Sequence, residues 1–242
     1  MLQKNKIKNS FDRASASYDK VAGVQKECSQ ILATMLQNNF PQFQPDKTLD
    51  LGTGTGYMAK LTSEMFPLSY VTLNDISMNM LHAAMYKLQR INIRCIWGDM
   101  EGRDFGFHDL ITANLSLQWT NNLNKMMQTL YRDSKILAFS CLLDGTFYEW
   151  AQKFTRSPVP PYPTLEEITA HIASLNPKNY FLDTKDFTLE FENDKAFVRY
   201  LRDLGAIACD SDVSIGELRR IFKATTSSIS ITYRVFFAVI ER

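Results

Sequence analysis

The chain has 242 residues, a formal net charge of +1 at pH 7, 45% apolar residues and 22% charged ones. That is enough for a sizeable core, as one large α/β domain or two small ones, and the composition is that of an ordinary soluble globular protein. The near-neutral balance excludes a uniformly basic surface, so no nucleic-acid partner is expected and any basic recognition surface must be local.

The longest apolar runs, such as 136–139 and 235–240, are too short to span a bilayer. The first ten residues are polar and lysine-rich, with no apolar stretch of a secretory signal behind them. A cytoplasmic protein without membrane partners, and a monomer, is the expectation. Cys28, Cys95, Cys141 and Cys209 lack C-x-x-C spacing, which fits reduced thiols and no metal site.

In chain order, residues 1–38 read as two helices. Ile7, Phe11, Ala14 and Tyr18 recur at spacings of three or four, and a second segment, 24–36, carries Ile31, Leu32 and Met35. They form either a helical cap packed on the core or a lid over a ligand, with Phe11 and Tyr18 as its contacts.

Thr48-Leu49-Asp50-Leu51 is a short, mostly apolar run that passes into Gly52-Thr53-Gly54-Thr55-Gly56. Met58, Leu61, Thr62 and Met65 follow at helical spacing, so the glycines lie between the carboxyl end of a strand and the amino end of a helix. Unpaired backbone N–H groups there suit a nucleotide-like ligand, and glycine lets it approach the main chain. The dinucleotide fingerprint G-x-G-x-x-G is not met, because Tyr57 stands where the third glycine would be. Asp75 instead closes a second strand-like run, 70–73, where a carboxylate can accept from both ribose hydroxyls.

Strand-like and helix-like pieces then alternate. Strands are expected at 48–51, 69–74, 92–97, 109–112 and 135–140, with helices up to about 66, at 77–89 and at 122–131. Such alternation gives an α/β, doubly wound, mostly parallel sheet with ligands at the carboxyl ends of its strands. Ser77 is a suitable helix cap, and Met80 one turn in serves either an adenine ring or the core. Beyond 144 the pieces flank a proline-rich loop, 156–163. Residues 181–191 and 228–240 alternate like an antiparallel pair that closes the sheet, with helices at 195–204 and 215–222 between them. Arg199, Arg202, Arg219, Arg220 and Lys223 concentrate there, as a solvated face or as a dock for an acidic partner.

D-x-G-x-G-x-G at 50–56, the strand-terminal Asp75 and Gly98-Asp99 after a third strand resemble a class I S-adenosylmethionine-dependent methyltransferase. That class implies a Rossmann-like sheet of seven strands and no metal. It also implies a cofactor site at Asp50, Gly52, Thr53, Gly54, Asp75, Ile76, Met80, Asp99, Met100 and Asn114. The block Asn114-Leu115-Ser116-Leu117-Gln118-Trp119 falls where the acceptor meets the methyl group in such folds, and it lacks the D/N-P-P-Y of amide and base-nitrogen methylation.

A closer resemblance extends over nearly the whole chain. Phe11-Asp12-Arg13-Ala14, Ala16-Ser17-Tyr18-Asp19, the glycine motif, Asp75-Ile76-Ser77, Gly98-Asp99-Met100-Glu101, the 114–119 block, Leu201-Arg202, Gly205-Ala206 and Thr232-Tyr233-Arg234-Val235-Phe236 look like the malonyl-acyl-carrier-protein O-methyltransferase (BioC-type) family. The P-x-G turn usual before strand 5 is replaced by Arg132-Asp133-Ser134.

The resemblance implies one methyltransferase domain over 1–242: a helical lid at 1–38, a cofactor core at 48–142, strand 6 with helical acceptor-side insertions at 144–226 and a last strand at 227–242. It implies methylation of the free carboxylate of a malonyl thioester on acyl carrier protein, early in biotin synthesis, with S-adenosylhomocysteine as by-product. Tyr18, Gln118 and Trp119 would shape the reacting site. Phe11, Arg13, Arg199 and Arg202 would serve substrate or partner, an arginine pairing with the malonyl carboxylate or the prosthetic phosphate. The same fold acting on another small carboxylic acid or a quinone-type precursor is the alternative, and a non-catalytic binding or assembly protein a second one.

Overall fold

The computed structural model describes residues 3–89, 92–206, 215–224 and 227–242. Cys209 lies outside the described residues.

Seven strands form one sheet: β1 (Lys47–Leu51), β2 (Tyr70–Asp75), β3 (Ile93–Trp97), β4 (His108–Asn114), β5 (Ser134–Leu142), β6 (Asn179–Phe191) and β7 (Ile229–Glu241). Their order is β3-β2-β1-β4-β5-β7-β6. The first five run parallel; β7 is antiparallel to both β5 and β6. The strand order reverses between β1 and β4, the switch point at which open α/β sheets hold their ligands. The expected strands are all present, with β4 and β5 longer at both ends than the sequence pattern suggests. The missing P-x-G turn has a local explanation: α6 (Leu123–Arg132) hands over to β5 through Asp133 alone, whose carbonyl accepts from the His108 amide at the start of β4.

Period-two alternation splits β5 between two faces. Leu137, Phe139 and Cys141 pack with Met126, Met127 and Leu130 of α6 and with Ile168 and Ile172 of α8 (Leu165–Ser174). Ile136 and Ala138 face the other way, toward Leu36 of α3 (Gly23–Asn39) and Phe66 after α4 (Tyr57–Met65). On that same side Leu81 and Ala84 of α5 (Met78–Leu88) meet Val71 and Leu73 of β2. Each fully buried Leu or Phe contributes about 1.5–3 kcal/mol, so helices on both faces hold the strand ends in place.

The amino-terminal segment is three helices rather than two: α1 (Lys4–Ala14), α2 (Tyr18–Val21) and α3. The expected first helix breaks at Ser15–Ser17, which frees Tyr18 from the α1 face. After β5 come α7 (Tyr148–Ala151), α8, α9 (Asp194–Asp203) and α10 (Ile215–Ala224). Leu218, Ile221 and Phe222 of α10 pack inward, while Arg219, Arg220 and Lys223 are exposed. Among the described residues no helix is long and apolar enough to cross a membrane.

Candidate active site

The chain leaves β1 through Gly52, whose φ of +61° lies in the left-handed region. A Cβ there would stand 2.4 Å from Ser116 Cβ, so only glycine lets the turn lie against the β4 loop. The turn is then bonded in place. Thr53 Oγ1 donates to Asp50 Oδ2 at 2.6 Å, Thr112 Oγ1 donates to Asp50 Oδ1 at 2.7 Å, and the Thr53 amide donates to the Asn74 carbonyl. Asp50 therefore ties the glycine turn to β4, one oxygen to each, and burial raises its pKa to about 6 despite those two bonds.

Asp75 ends β2. Its Oδ2 accepts from the Gly54 amide and its Oδ1 from the Ser77 amide, each at 2.8 Å. Desolvation is the larger effect and raises its pKa to about 6, with Asp50 and Asp12 adding repulsion. Ser77 caps α5 by accepting from the Met80 amide, and its hydroxyl donates to Asp12 Oδ1 of α1 at 2.6 Å.

These residues enclose a first cavity of about 60 Å³, lined among others by Gly52, Gly54, Asp75, Ile76, Asp99 and Met100. Lys4, Ile7, Phe11 and Tyr18 of the amino-terminal helices close it from above, and Asn114, Leu115, Ser116 and Trp119 from the β4 side. A side chamber of about 30 Å³ at its back has Asp50, Thr53, Gln25 and Asn114 in its wall. Asn114 is itself fully engaged: its amide nitrogen donates to the Gln25 carbonyl and to Ser29 Oγ, and its oxygen accepts from Ser140 Oγ.

A second cavity, of about 190 Å³, opens on the acceptor side. Leu142, Phe147, Trp150, Val159, Val198 and Leu201 make it largely apolar. Its polar groups are Tyr18, Gln25, Gln118, Trp119, Tyr162 and Tyr233, and no Lys, Arg or His lines it among the described residues. Gln118 Nε2 donates to the Leu115 carbonyl, while the Gln118 and Gln25 side-chain oxygens are buried and unpaired.

Tyr18 borders both cavities and the side chamber. Desolvation among these walls, then the neighbouring Asp75 carboxylate, pushes its phenol well above the ordinary tyrosine range. It remains a neutral hydrogen-bond donor. Phe11 and Trp119 meet edge to face at 5.5 Å beside it.

The structure thus brings together Tyr18, Phe11, Gly52, Gly54, Asp75, Ile76, Asp99, Met100, Asn114 and Trp119 around the first cavity, with Asp50 and Thr53 beneath. Gln118 joins on the acceptor side. Met80 is fully buried and lines none of these cavities. Arg13 and Arg202 share a separate outer groove with Ser10, Ser17 and Gly205, and Arg199 is exposed on α9. Lys4, Gln25, Phe147 and Trp150 were not legible as site residues, since no local motif marks them; Ser116 and Tyr233 fall inside recognised motifs but were not singled out. Among the described residues no group of three metal-ligating side chains forms.

A sheet wound in this order, with a glycine turn after β1 and carboxylates at the end of β2 and just beyond β3 around one cavity, has the architecture of a Rossmann-like methyltransferase. Residues 48–135 match the model of the Methyltransferase domain family. The fold is similar to the magnesium protoporphyrin IX methyltransferase of Synechocystis PCC 6803, solved with bound SAH, at a TM-score of 0.63 with 11% identity, covering 99% of this chain and 100% of that one. It is also similar to the plantazolicin methyltransferase BpumL in complex with SAH, at 0.53 with 15% identity over 98% and 90% of the two chains.

Among curated proteins, the malonyl-[acyl-carrier protein] O-methyltransferase of Neorickettsia risticii is 34% identical over 96% of this chain and 94% of its own length. Malonyl-[acyl-carrier protein] O-methyltransferase 2 of Coxiella burnetii is 30% identical over 84% and 82%. The chain belongs to the malonyl-[acyl-carrier protein] O-methyltransferase family.

Proposed function

We propose that this protein transfers a methyl group from S-adenosylmethionine to the free carboxylate of a malonyl thioester carried on acyl carrier protein, forming the malonyl methyl ester used early in biotin synthesis. The observation that carries the reading is Tyr18, a neutral donor at the junction of a carboxylate-rimmed cavity and a larger apolar one.

The first cavity fits the cofactor. Asp75 would hold the ribose. Among the described residues no group bonds to Asp99 Oδ2, which leaves it as an acceptor for the exocyclic amine of adenine, beside Met100 and Ile76. The narrow approach at Gly52 and the side chamber under Asp50 and Asn114 suit the methionine end. When bound, the cofactor supplies an electrophilic methyl on a sulfonium.

The residues of the second cavity have a simple task. A carboxylic acid with a pKa of about 4 is ionised at neutral pH, so its oxygen needs no general base. That suits a cavity whose described lining holds none. Tyr18 and the Gln118 carboxamide can hold the carboxylate by donating to it, and Trp119 with Phe11 shapes the passage between the cavities. Apolar walls exclude water from the remaining space. Alignment of this kind is worth an effective molarity of order 10⁵ M or more. A hydroxyl or ring-carbon acceptor would need a base here, which favours the carboxylate over a quinone-type precursor.

Methyl transfer from labelled S-adenosylmethionine to malonyl-acyl-carrier protein, malonyl-coenzyme A and free malonate tests the proposal. Transfer to the carrier-bound malonyl group, lost in Asp75→Ala, is expected. SAH binding without transfer to any of the three would sink the malonyl assignment.

A further inference from the structure

Lys4 stands at the start of α1, and its ammonium reaches across the rim of the cofactor cavity to three acceptors. They are Glu101 Oε2 at 2.6 Å, Asp99 Oδ1 at 3.2 Å and the Trp119 main-chain oxygen at 2.8 Å. An ammonium has three N–H donors, so this environment uses all of them. The side chains are only 22–33% exposed, which spares the ion pairs much of the solvent screening that weakens surface pairs.

The acceptors belong to two different loops. Asp99 and Glu101 follow β3; Trp119 closes the 3₁₀ turn after β4. Glu101 ties the two loops again, accepting from the Asn121 amide and side chain at 2.8 Å each and from the Asn122 amide at 3.3 Å. Two helical turns further along α1, Phe11 sets its ring against Trp119. The Glu101 carboxylate is held below its ordinary pKa: burial alone would raise it, and the Lys4 and Asn121 bonds outweigh that.

We propose that Lys4 is a positioning residue: by joining Asp99 and Glu101 to the Trp119 carbonyl it forms the adenine side of the cofactor site and the near wall of the acceptor cavity as one unit, with α1 closed over both. The inference rests on the methyl-transfer reading above. Its consequence is a linkage. Whatever occupies the first cavity stabilises the closed lid, and the closed lid stabilises Trp119 against the acceptor.

Lys4→Met keeps most of the length of the side chain and removes the charge. SAH affinity by calorimetry should fall about tenfold, and KM should rise for both S-adenosylmethionine and the malonyl thioester, with kcat at saturation within threefold. SAH should protect the wild-type lid from chymotrypsin at Phe11 and Tyr18 and fail to protect the variant. Lys4→Arg should restore SAH affinity to within threefold of wild type. Glu101→Gln, a second route to the same loss, should reproduce the shift, with each unliganded variant still folded, as read by a native circular-dichroism spectrum and one cooperative thermal transition. SAH affinity and lid protection within twofold of wild type in Lys4→Met would overturn the proposal while leaving the methyl-transfer reading intact. Failure of the wild type itself to bind SAH would overturn both.

Discussion

The Gly54 amide nitrogen lies 2.8 Å from Asp75 Oδ2, so the glycine turn after β1 and the carboxylate that ends β2 are bonded directly to each other. The two stations of the proposed cofactor site are one object: moving either displaces the other. Asp75 is ready to accept from a ligand because its second oxygen is already oriented by the Ser77 amide.

If Asp75 holds the ribose as proposed, its burial makes cofactor binding pH-dependent. Burial raises Asp75 to a pKa of about 6 in the unliganded protein, and only the ionised form accepts from two ribose hydroxyls. SAH affinity should therefore be flat above about pH 7 and fall by up to tenfold per pH unit well below 6. Asp50, raised to about the same value under the glycine turn, acts in the same direction. Calorimetry at pH 5, 6 and 7.5 reads this out. Asp75→Asn should bind weakly at pH 7.5 and lose much of the pH dependence.

Unliganded stability should run the other way. A carboxyl whose folded pKa is raised contributes stability that is complete below about 4 and lost as pH climbs through 6. Between pH 4.5 and 6.5, Asp50 and Asp75 therefore lower stability with rising pH, while His108, whose pKa burial depresses, opposes them. Asp12, Asp19 and Asp109 are held low, and their contribution is lost only in more acid solution. Denaturant melts across this window should show Asp75→Asn losing about 2 kcal/mol less than wild type.

Gly52→Ala tests the closeness of the glycine turn to the β4 loop. The new methyl would meet Ser116 Cβ at 2.4 Å on a backbone at φ +61°. Overpacking and left-handed strain together should cost about 2–4 kcal/mol and abolish measurable SAH binding. Adding Ser116→Gly should return roughly the steric half of the loss, as read by thermal melts. Full recovery would mean that the backbone at Gly52 carries no strain.

Most of the sheet was legible because its signal is local: a strand of period two, a glycine turn and a helix of period 3.6 recur in order from Thr48 onward. Several residues around the first cavity were legible for the same reason: Asp75 and Asn114 end strands, and Gly52 opens the turn after β1. Met80 was legible only as one of two alternatives, adenine contact or core. Its place one turn into α5 suits an adenine contact, yet that face of the helix turns into the core, where it is fully buried. Lys4 was silent because its partners lie 95 and 115 residues along the chain, and the Phe147–Trp150 wall because its rings meet the distant Phe197 and Tyr233. The arginines were legible as a cluster and not as a location.

Tyr18→Phe separates the two cavities chemically. The ring stays against Gly54, so SAH affinity should remain within twofold. Tyr18 also lines the acceptor cavity, where in the proposed site its hydroxyl donates to the malonyl carboxylate, and a hydrogen bond to a charged group is worth about 1.5–3 kcal/mol. KM for malonyl-acyl-carrier protein should rise tenfold or more, or kcat should fall by that factor if the bond strengthens during transfer. Equal loss of SAH affinity would assign Tyr18 to the cofactor alone.

Arg13, Arg199 and Arg202 are predicted to act on the carrier rather than on the malonyl carboxylate. Arg13 and Arg202 face an outer groove of about 450 Å³ between α1 and α9, Arg199 is exposed on α9, and none lines the acceptor cavity. Cations placed so can meet an acidic carrier surface or the phosphate of its prosthetic arm, where they govern encounter more than chemistry. Each alanine variant should raise KM for malonyl-acyl-carrier protein about three- to tenfold, with the difference shrinking as salt is added. KM for malonyl-pantetheine, which lacks both the carrier and the phosphate, should not change. A matching rise for malonyl-pantetheine would instead give one of these arginines to the carboxylate, which would require α9 or α1 to move inward on binding.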